Sequence, residues 1–210
     1  MRIHNGHIIV KHDGKNLILD TGSPVSYPED FFMLGDEQLS GYIGADVDGL
    51  LGMDFLSNKC LELDMRNNHH SIFEDNKTQW PADLDVIRID LENTVPVVKA
   101  RLPNNESVSL AIDTGAPISY MRNDIAQKMK VLNKKVNDFF PHFGSFETKL
   151  HEGTIEAGKK EYSLNFGVLP GLLENILIAW GVDGILGYEW LKLAEHITFN
   201  FPNNEMLIHE

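Results

Sequence analysis

Two short stretches of this chain, Asp20-Thr21-Gly22-Ser23 and Asp113-Thr114-Gly115-Ala116, repeat nearly the same chemistry 93 residues apart. Each follows three apolar residues, Leu17–Leu19 and Leu110–Ile112, that read as a strand buried on both faces. A buried strand ending in Asp delivers a carboxyl into a low-dielectric site. The glycine two residues on lets the backbone turn sharply and brings amide N–H groups close to that carboxyl. Two such strand ends meeting would set two carboxyls side by side. Like charges that close cannot both ionise, so the pair shares one proton. One member then serves as base toward a trapped water, and the other as acid toward a carbonyl oxygen.

A second motif repeats in step with the first: DGLLGMDFL at 48–56 and DGILGYEWL at 183–191. The chain therefore reads as two copies of one unit, 1–78 and 79–210, which together build one catalytic unit. Their junction is the polar, turn-rich stretch EDNKTQWPADLD. Asp20 and Asp48 are 28 residues apart, Asp113 and Asp183 are 70 apart, so the second unit carries 42 extra residues between its motifs.

The elements that must position these residues are mostly strands. HIIVKHDGKNLIL reads as a hairpin turning at Asp13-Gly14, and VPVVKARLPNNESVSLAI as the same hairpin with a longer loop. Apolar spacing predicts short helices over 53–58, 122–131 and 188–194. The extra residues of the second unit continue as strand-like pieces FETKL, TIEA, EYSLNFGV and NILIAW. The class is mainly β.

These motifs resemble those of the aspartic-protease clan that contains the pepsins and retropepsins. Leu50-Leu51-Gly52 and Ile185-Leu186-Gly187 match the clan's hydrophobic-hydrophobic-Gly motif behind the active-site loops. The resemblance spans both units, each of retropepsin size, in one chain. It implies a two-lobed acid-protease-like β-barrel fold with pseudo-twofold symmetry and a few short helices. It also implies an aspartic endopeptidase with Asp20 and Asp113 as the catalytic pair. Thr21 and Thr114 would hydrogen-bond across to the opposite loop, and Gly22 and Gly115 would allow close backbone approach. Ser23 is expected to donate to Asp20, whereas Ala116 has no hydroxyl to offer Asp113. On that reasoning Asp20 is the more readily ionised member and Asp113 holds the shared proton. The alternative is a catalytically inactive peptide-binding module on the same fold.

In the clan a β-hairpin flap closes over the substrate. The first unit is too short for one, so the cleft is expected to lie open over 28–46. The second unit has room in FFPHFGSFETKL, with His142, Phe143, Gly144, Ser145 and Phe146 as flap candidates.

The remaining features narrow the partners. Of 210 residues, 42% are hydrophobic and 23% charged, enough to bury a core, and the formal charge of −13 argues against nucleic-acid or anionic-membrane partners. No apolar run reaches the roughly 18 residues a spanning helix needs, and no signal core opens the sequence, so the expected address is cytoplasmic. The partner is then a peptide or protein substrate, and a monomer suffices because both halves are in one chain. No cofactor and no metal is expected. His4, His7, His69 and His70 read as exposed turn residues, and the lone cysteine, Cys60, as a small core residue. Phe31, Phe32, Phe139 and Phe140 divide between core and groove. Tyr27 and Tyr120, at equivalent repeat positions, read as architectural. Lys128, Lys130, Lys134 and Lys135 read as a solvated helix face.

Overall fold

Turn chemistry sets the first elements. Asn5-Gly6 (φ 49° and 84°) and Asp13-Gly14 (φ 47° and 81°) each place two successive residues at positive φ, which matches the twist of tightly connected antiparallel strands. They join β1 (Arg2–His4), β2 (His7–His12) and β3 (Lys15–Leu19) into a meander. The computed structural model describes residues 1–26, 36–74, 80, 85–92, 94–140 and 143–209. Tyr27, Phe31, Phe32 and His142 lie outside the described residues.

The first unit continues through α1 (Asp36–Ile43), β4 (Gly49–Leu51), α2 (Met53–Leu56), β5 (Cys60–Asp64) and β6 (His69–Phe73). The second begins with β7 (Val86–Glu92), β8 (Val95–Arg101), β9 (Ser107–Ile112), β10 (Ser119–Met121) and α3 (Asn123–Ala126). The long hairpin β11 (Lys130–Phe140) and β12 (Gly144–Ala157) follows, then β13 (Lys160–Gly167) and α4 (Gly171–Ala179). The chain closes with β14 (Gly184–Leu186), α5 (Tyr188–Leu191), β15 (His196–Asn200) and β16 (Glu205–His209). The protein is mainly β, as expected. No helix among the described residues is long and apolar enough to cross a membrane.

Two sheets carry the strands. One has the order β1-β2-β3-β4, and the other β11-β12-β13-β10-β14-β9-β8-β7-β16-β15-β5-β6. In both units the strand that leads to Asp-Thr-Gly pairs in parallel with the strand of the second motif. Leu17–Leu19 lie beside Gly49–Leu51, and Leu110–Ile112 beside Gly184–Leu186. Both are covered on two faces, which is why they are apolar at every position. Leu17 and Leu19 enter the main core while Ile18 enters a second cluster with Ile9, Leu39, Ile43 and Val47. In the other unit Leu110 and Ile112 enter the main core, and Ala111 a third cluster with Val95, Val97 and Val182. Cys60 is buried in the core strand β5, as expected.

Several expectations are corrected. NILIAW belongs to a helix, α4, in which Leu173 and Leu177, one turn apart, face inward. FETKL and TIEA are parts of one unbroken strand, β12. The helix expected over 122–131 stops at Ala126, after Ile125 and Ala126 are buried, and Lys130 already begins β11. The lysines therefore stand largely on a strand, where Lys130 and Lys135 pair with Glu152 and Glu147 of β12. His69 and His70 lie on β6 rather than in a turn, opposite Asp64 and Leu63. Residues 36–43, expected to leave the cleft open, form α1, because Leu39 and Ile43 have the second cluster to fill.

Candidate active site

The same backbone bonds hold both Asp-Thr-Gly loops. The Asp20 N–H donates to Leu51 O (3.0 Å), and the Asp113 N–H to Leu186 O (2.9 Å). The aspartates that open the second motifs fasten the starts of the same strands. Asp48 Oδ2 accepts from the Asn16 N–H (2.7 Å), and Asp183 Oδ2 from the Ser109 N–H (2.9 Å). Behind the loops, the Met53 N–H donates to Ser23 O (2.9 Å) and the Tyr188 N–H to Ala116 O (2.8 Å). The repeated sequence therefore corresponds to a repeated hydrogen-bond pattern.

The two loops meet through their threonines, both fully buried. The Thr21 N–H donates to Thr114 Oγ1 (3.0 Å), and the Thr114 N–H to Thr21 Oγ1 (3.1 Å). Each hydroxyl in turn donates to the opposite strand, Thr21 to Ile112 O and Thr114 to Leu19 O, both at 2.7 Å. Both threonine amides and both hydroxyls are thus satisfied by the opposite loop, which fixes one loop against the other.

Asp20 and Asp113 are thereby brought together, and their carboxyls hydrogen-bond each other. Each is enclosed by protein except toward the cleft. Burial raises the pKa of both. For Asp20 the neighbouring Asp113 charge and the hydrogen bond to Asp113 add to burial and hold it well above the usual range, with the Ser23 and Gly22 amides offsetting part. For Asp113 the opposing influences are stronger, because its Oδ1 accepts from the Gly115 N–H (2.8 Å) and the Ala116 N–H (3.0 Å). Both carboxyls are thus pushed toward the neutral form, Asp20 the more strongly, while the two amides at Oδ1 favour the charged form of Asp113. The hydroxyl expected to favour ionised Asp20 is engaged elsewhere. The Ser23 hydroxyl donates to Val25 O at 2.7 Å instead of to Asp20, since the loop turns that carbonyl toward it.

The pair lies in the floor of a cleft of about 310 Å³ whose walls are largely apolar. The hairpin β11–β12 reaches over it, turning between Phe140 and Gly144, where Gly144 has φ 86°. Phe139, Phe140 and Phe146 line the cleft, as do Leu39 and Ile43 of α1. Phe143 is exposed at the turn, and Ser145 stands opposite Phe139 on the hairpin. The Phe139 ring stacks on Tyr42 of α1, with centroids 4.7 Å apart and planes 8° apart, so the hairpin is fastened to the first unit.

Three further polar side chains line this cleft, and of these only Tyr120 falls within a repeated motif. Tyr120 is buried and its hydroxyl donates to Asp138 near the turn end of β11, which ties that end of the hairpin to β10. Asp138 Oδ1 accepts from the Phe139 N–H (2.8 Å), and burial raises its pKa. His7, expected as an exposed turn residue, is 5% exposed, starts β2 and lies 2.8 Å through Nδ1 from Gly115 O. A long-range partner, 108 residues away, explains why local pattern could not reveal it. Among the described residues no group of three or more His, Cys, Asp or Glu side chains is arranged to hold a metal ion.

No protein-family model matches the chain, and neither does any curated protein. Among solved structures it is similar to a retropepsin-like aspartic protease from Rickettsia conorii. That likeness has 15% identity, a TM-score of 0.40, and coverage of 62% of this chain and 95% of the other. A protein of unknown function from Legionella pneumophila is similar at 18% identity and a TM-score of 0.28, over 43% of this chain and 79% of the other.

Proposed function

We propose that the protein is an aspartic endopeptidase whose catalytic pair is Asp20 and Asp113. The observation that carries this reading is the pair itself: two half-buried, mutually hydrogen-bonded carboxyls with raised pKa values, set by matching loops in the floor of an apolar cleft. Ionised Asp113 takes a proton from a water held between the carboxyls as the water oxygen attacks the peptide carbonyl carbon. Neutral Asp20 donates its proton to the carbonyl oxygen, which yields a gem-diol. The proton on Asp113 then passes to the amide nitrogen as the C–N bond breaks, and a gem-diol hydroxyl returns a proton to Asp20. No covalent enzyme intermediate forms. Thr21, Gly22, Thr114, Gly115 and the Ala116 amide support the pair, and the hairpin around Phe143, Gly144, Ser145 and Phe146 serves as the flap. Residues 1–78 and 79–210 act as the two halves of this unit within a monomer.

The test is cleavage of a mixed peptide library, its inhibition by a pepstatin-type compound, and its loss in Asp113→Asn. Cleavage that survives Asp113→Asn refutes the assignment. Peptide binding without turnover by the native protein would make it a binding module instead.

A further inference from the structure

His7 donates into the second active-site loop. A carbonyl oxygen only accepts, so the Nδ1 that lies 2.8 Å from Gly115 O carries the hydrogen. That carbonyl belongs to the peptide group joining Gly115 to Ala116, and the N–H of the same peptide group donates to Asp113 Oδ1 at 3.0 Å. One amide therefore stands between imidazole and carboxylate, accepting at its oxygen and donating at its nitrogen. Hydrogen bonds in such a chain polarise one another, so a donor at the oxygen strengthens the N–H at the other end.

We propose that His7 is a positioning residue for Asp113, acting through the Gly115–Ala116 peptide to hold the loop and to stabilise the carboxylate as an anion. This rests on the reading of Asp113 as the base of the pair. The bond has no counterpart in the other unit. Ile9 pairs with Ile18, two residues before Asp20, and Val97 pairs with Ala111, two before Asp113, so the register sets Val95 at the place of His7. Valine has no donor. The support goes to one carboxyl of the pair, the one read as the base.

The other titratable groups around His7 are His4, next to it in the β1–β2 hairpin, and Asp20, Asp113 and Asp138, which line the same cleft. Phe139 covers its ring at 5.8 Å. Burial, with a smaller contribution from His4, lowers the imidazole pKa, and the bond to Gly115 only partly opposes this. The neutral Nδ1–H tautomer is thus the form that acts at neutral pH.

Three variants separate this role from simple packing. His7→Asn keeps an N–H donor near the Nδ1 position, His7→Gln moves the donor toward Nε2, and His7→Leu removes it. We expect kcat on a cleaved peptide to fall about tenfold in the Leu and Gln variants with KM within about twofold, and the Asn variant to recover most of the loss. The carboxyl carbon of Asp113, followed by 13C NMR and identified by its loss in Asp113→Asn, should titrate about half a unit or more higher in the Leu and Gln variants and return in Asn. That titration needs no substrate, so it tests the link to Asp113 even for a protein that cleaves nothing. An unmoved Asp113 midpoint in the Leu and Gln variants, or an Asn variant no better than Gln, overturns the proposal. If the Leu variant fails to fold, the contrast between Asn and Gln decides.

Discussion

Gly22 and Asp113 approach each other so closely across the two loops that a methyl group on Gly22 would lie 2.2 Å from Asp113 Cγ. Gly115 stands in the same relation to Asp20, at 2.6 Å. Each loop is shaped around the carboxyl of the other, so Gly22→Ala must push Asp113 out of place. A displacement of about 1 Å in a reacting group costs roughly 100-fold in rate. Both Gly22→Ala and Gly115→Ala should lower kcat/KM on a cleaved peptide by about that factor. Wild-type turnover by either would mean that the pair does not work in this arrangement.

The threonine junction predicts a stability effect that does not add. Thr21→Val and Thr114→Val keep the shape but each removes a hydroxyl that accepts one bond and donates another. Stranding a buried N–H and carbonyl costs about 1–3 kcal/mol. The four bonds are distinct but form one buried network that loosens once either hydroxyl is gone, so the double variant should lose less than the sum of the singles, as read from urea denaturation of all three. Strict additivity would show that the threonines act separately.

Ser23→Ala should leave the acidic limb of the pH–rate profile unmoved. Its hydroxyl is spent on Val25 O, and removing that bond costs about 1 kcal/mol of stability without reaching Asp20. A shifted limb would place the hydroxyl on the carboxyl after all.

Raised pKa values in the pair also predict how stability changes with pH. Asp20 in the folded protein binds its proton more tightly than in the unfolded chain, so its contribution is fully present below the ordinary carboxyl pKa. That contribution is lost as pH rises from about 4 through the raised folded value. Asn cannot ionise and escapes this loss. Asp20→Asn should therefore gain stability relative to wild type between about pH 4 and pH 7, measured by denaturant midpoint. A constant difference across that window would mean that Asp20 titrates normally.

The ring stack on Tyr42 predicts the behaviour of the hairpin. Phe139→Ala removes the contact that fastens β11 to α1, and an aromatic pair of this kind contributes about 0.5–1.5 kcal/mol beyond its buried area. Amide exchange at Asp138–Phe140 should quicken about tenfold, with a higher KM for peptide. Unchanged exchange would show that the hairpin is held elsewhere, for example at Tyr120 and Asp138.

Much of the fold was legible because the sequence repeats it. The apolar triplets before Asp20 and Asp113 read correctly as buried strands, and the Gly-containing turns at Asp13-Gly14 set the first hairpin. NILIAW misled because a short apolar run has no period that separates strand from helix. His7, Asp138 and α1 were not legible for a different reason. Their roles lie in partners far along the chain: Gly115 for His7, Tyr120 for Asp138, and Phe139 for Tyr42. The Ser23 expectation failed because residue type alone does not say which of two nearby acceptors a hydroxyl faces.

Strand β5 pairs with β15 from Cys60 opposite Asn200 to Asp64 opposite His196. During synthesis the partner of β5 therefore leaves the ribosome more than 130 residues after β5 itself. Until then Leu61 and Leu63, both fully buried in the finished protein, lack their partners Phe199 and Ile197, and one edge of β5 is unpaired. Closing so long a loop is slow and entropically costly, so the docking of β15 on β5 should be among the slow steps of folding. Nascent chains that stop short of His196 present that open edge to one another, which makes truncated products prone to aggregate.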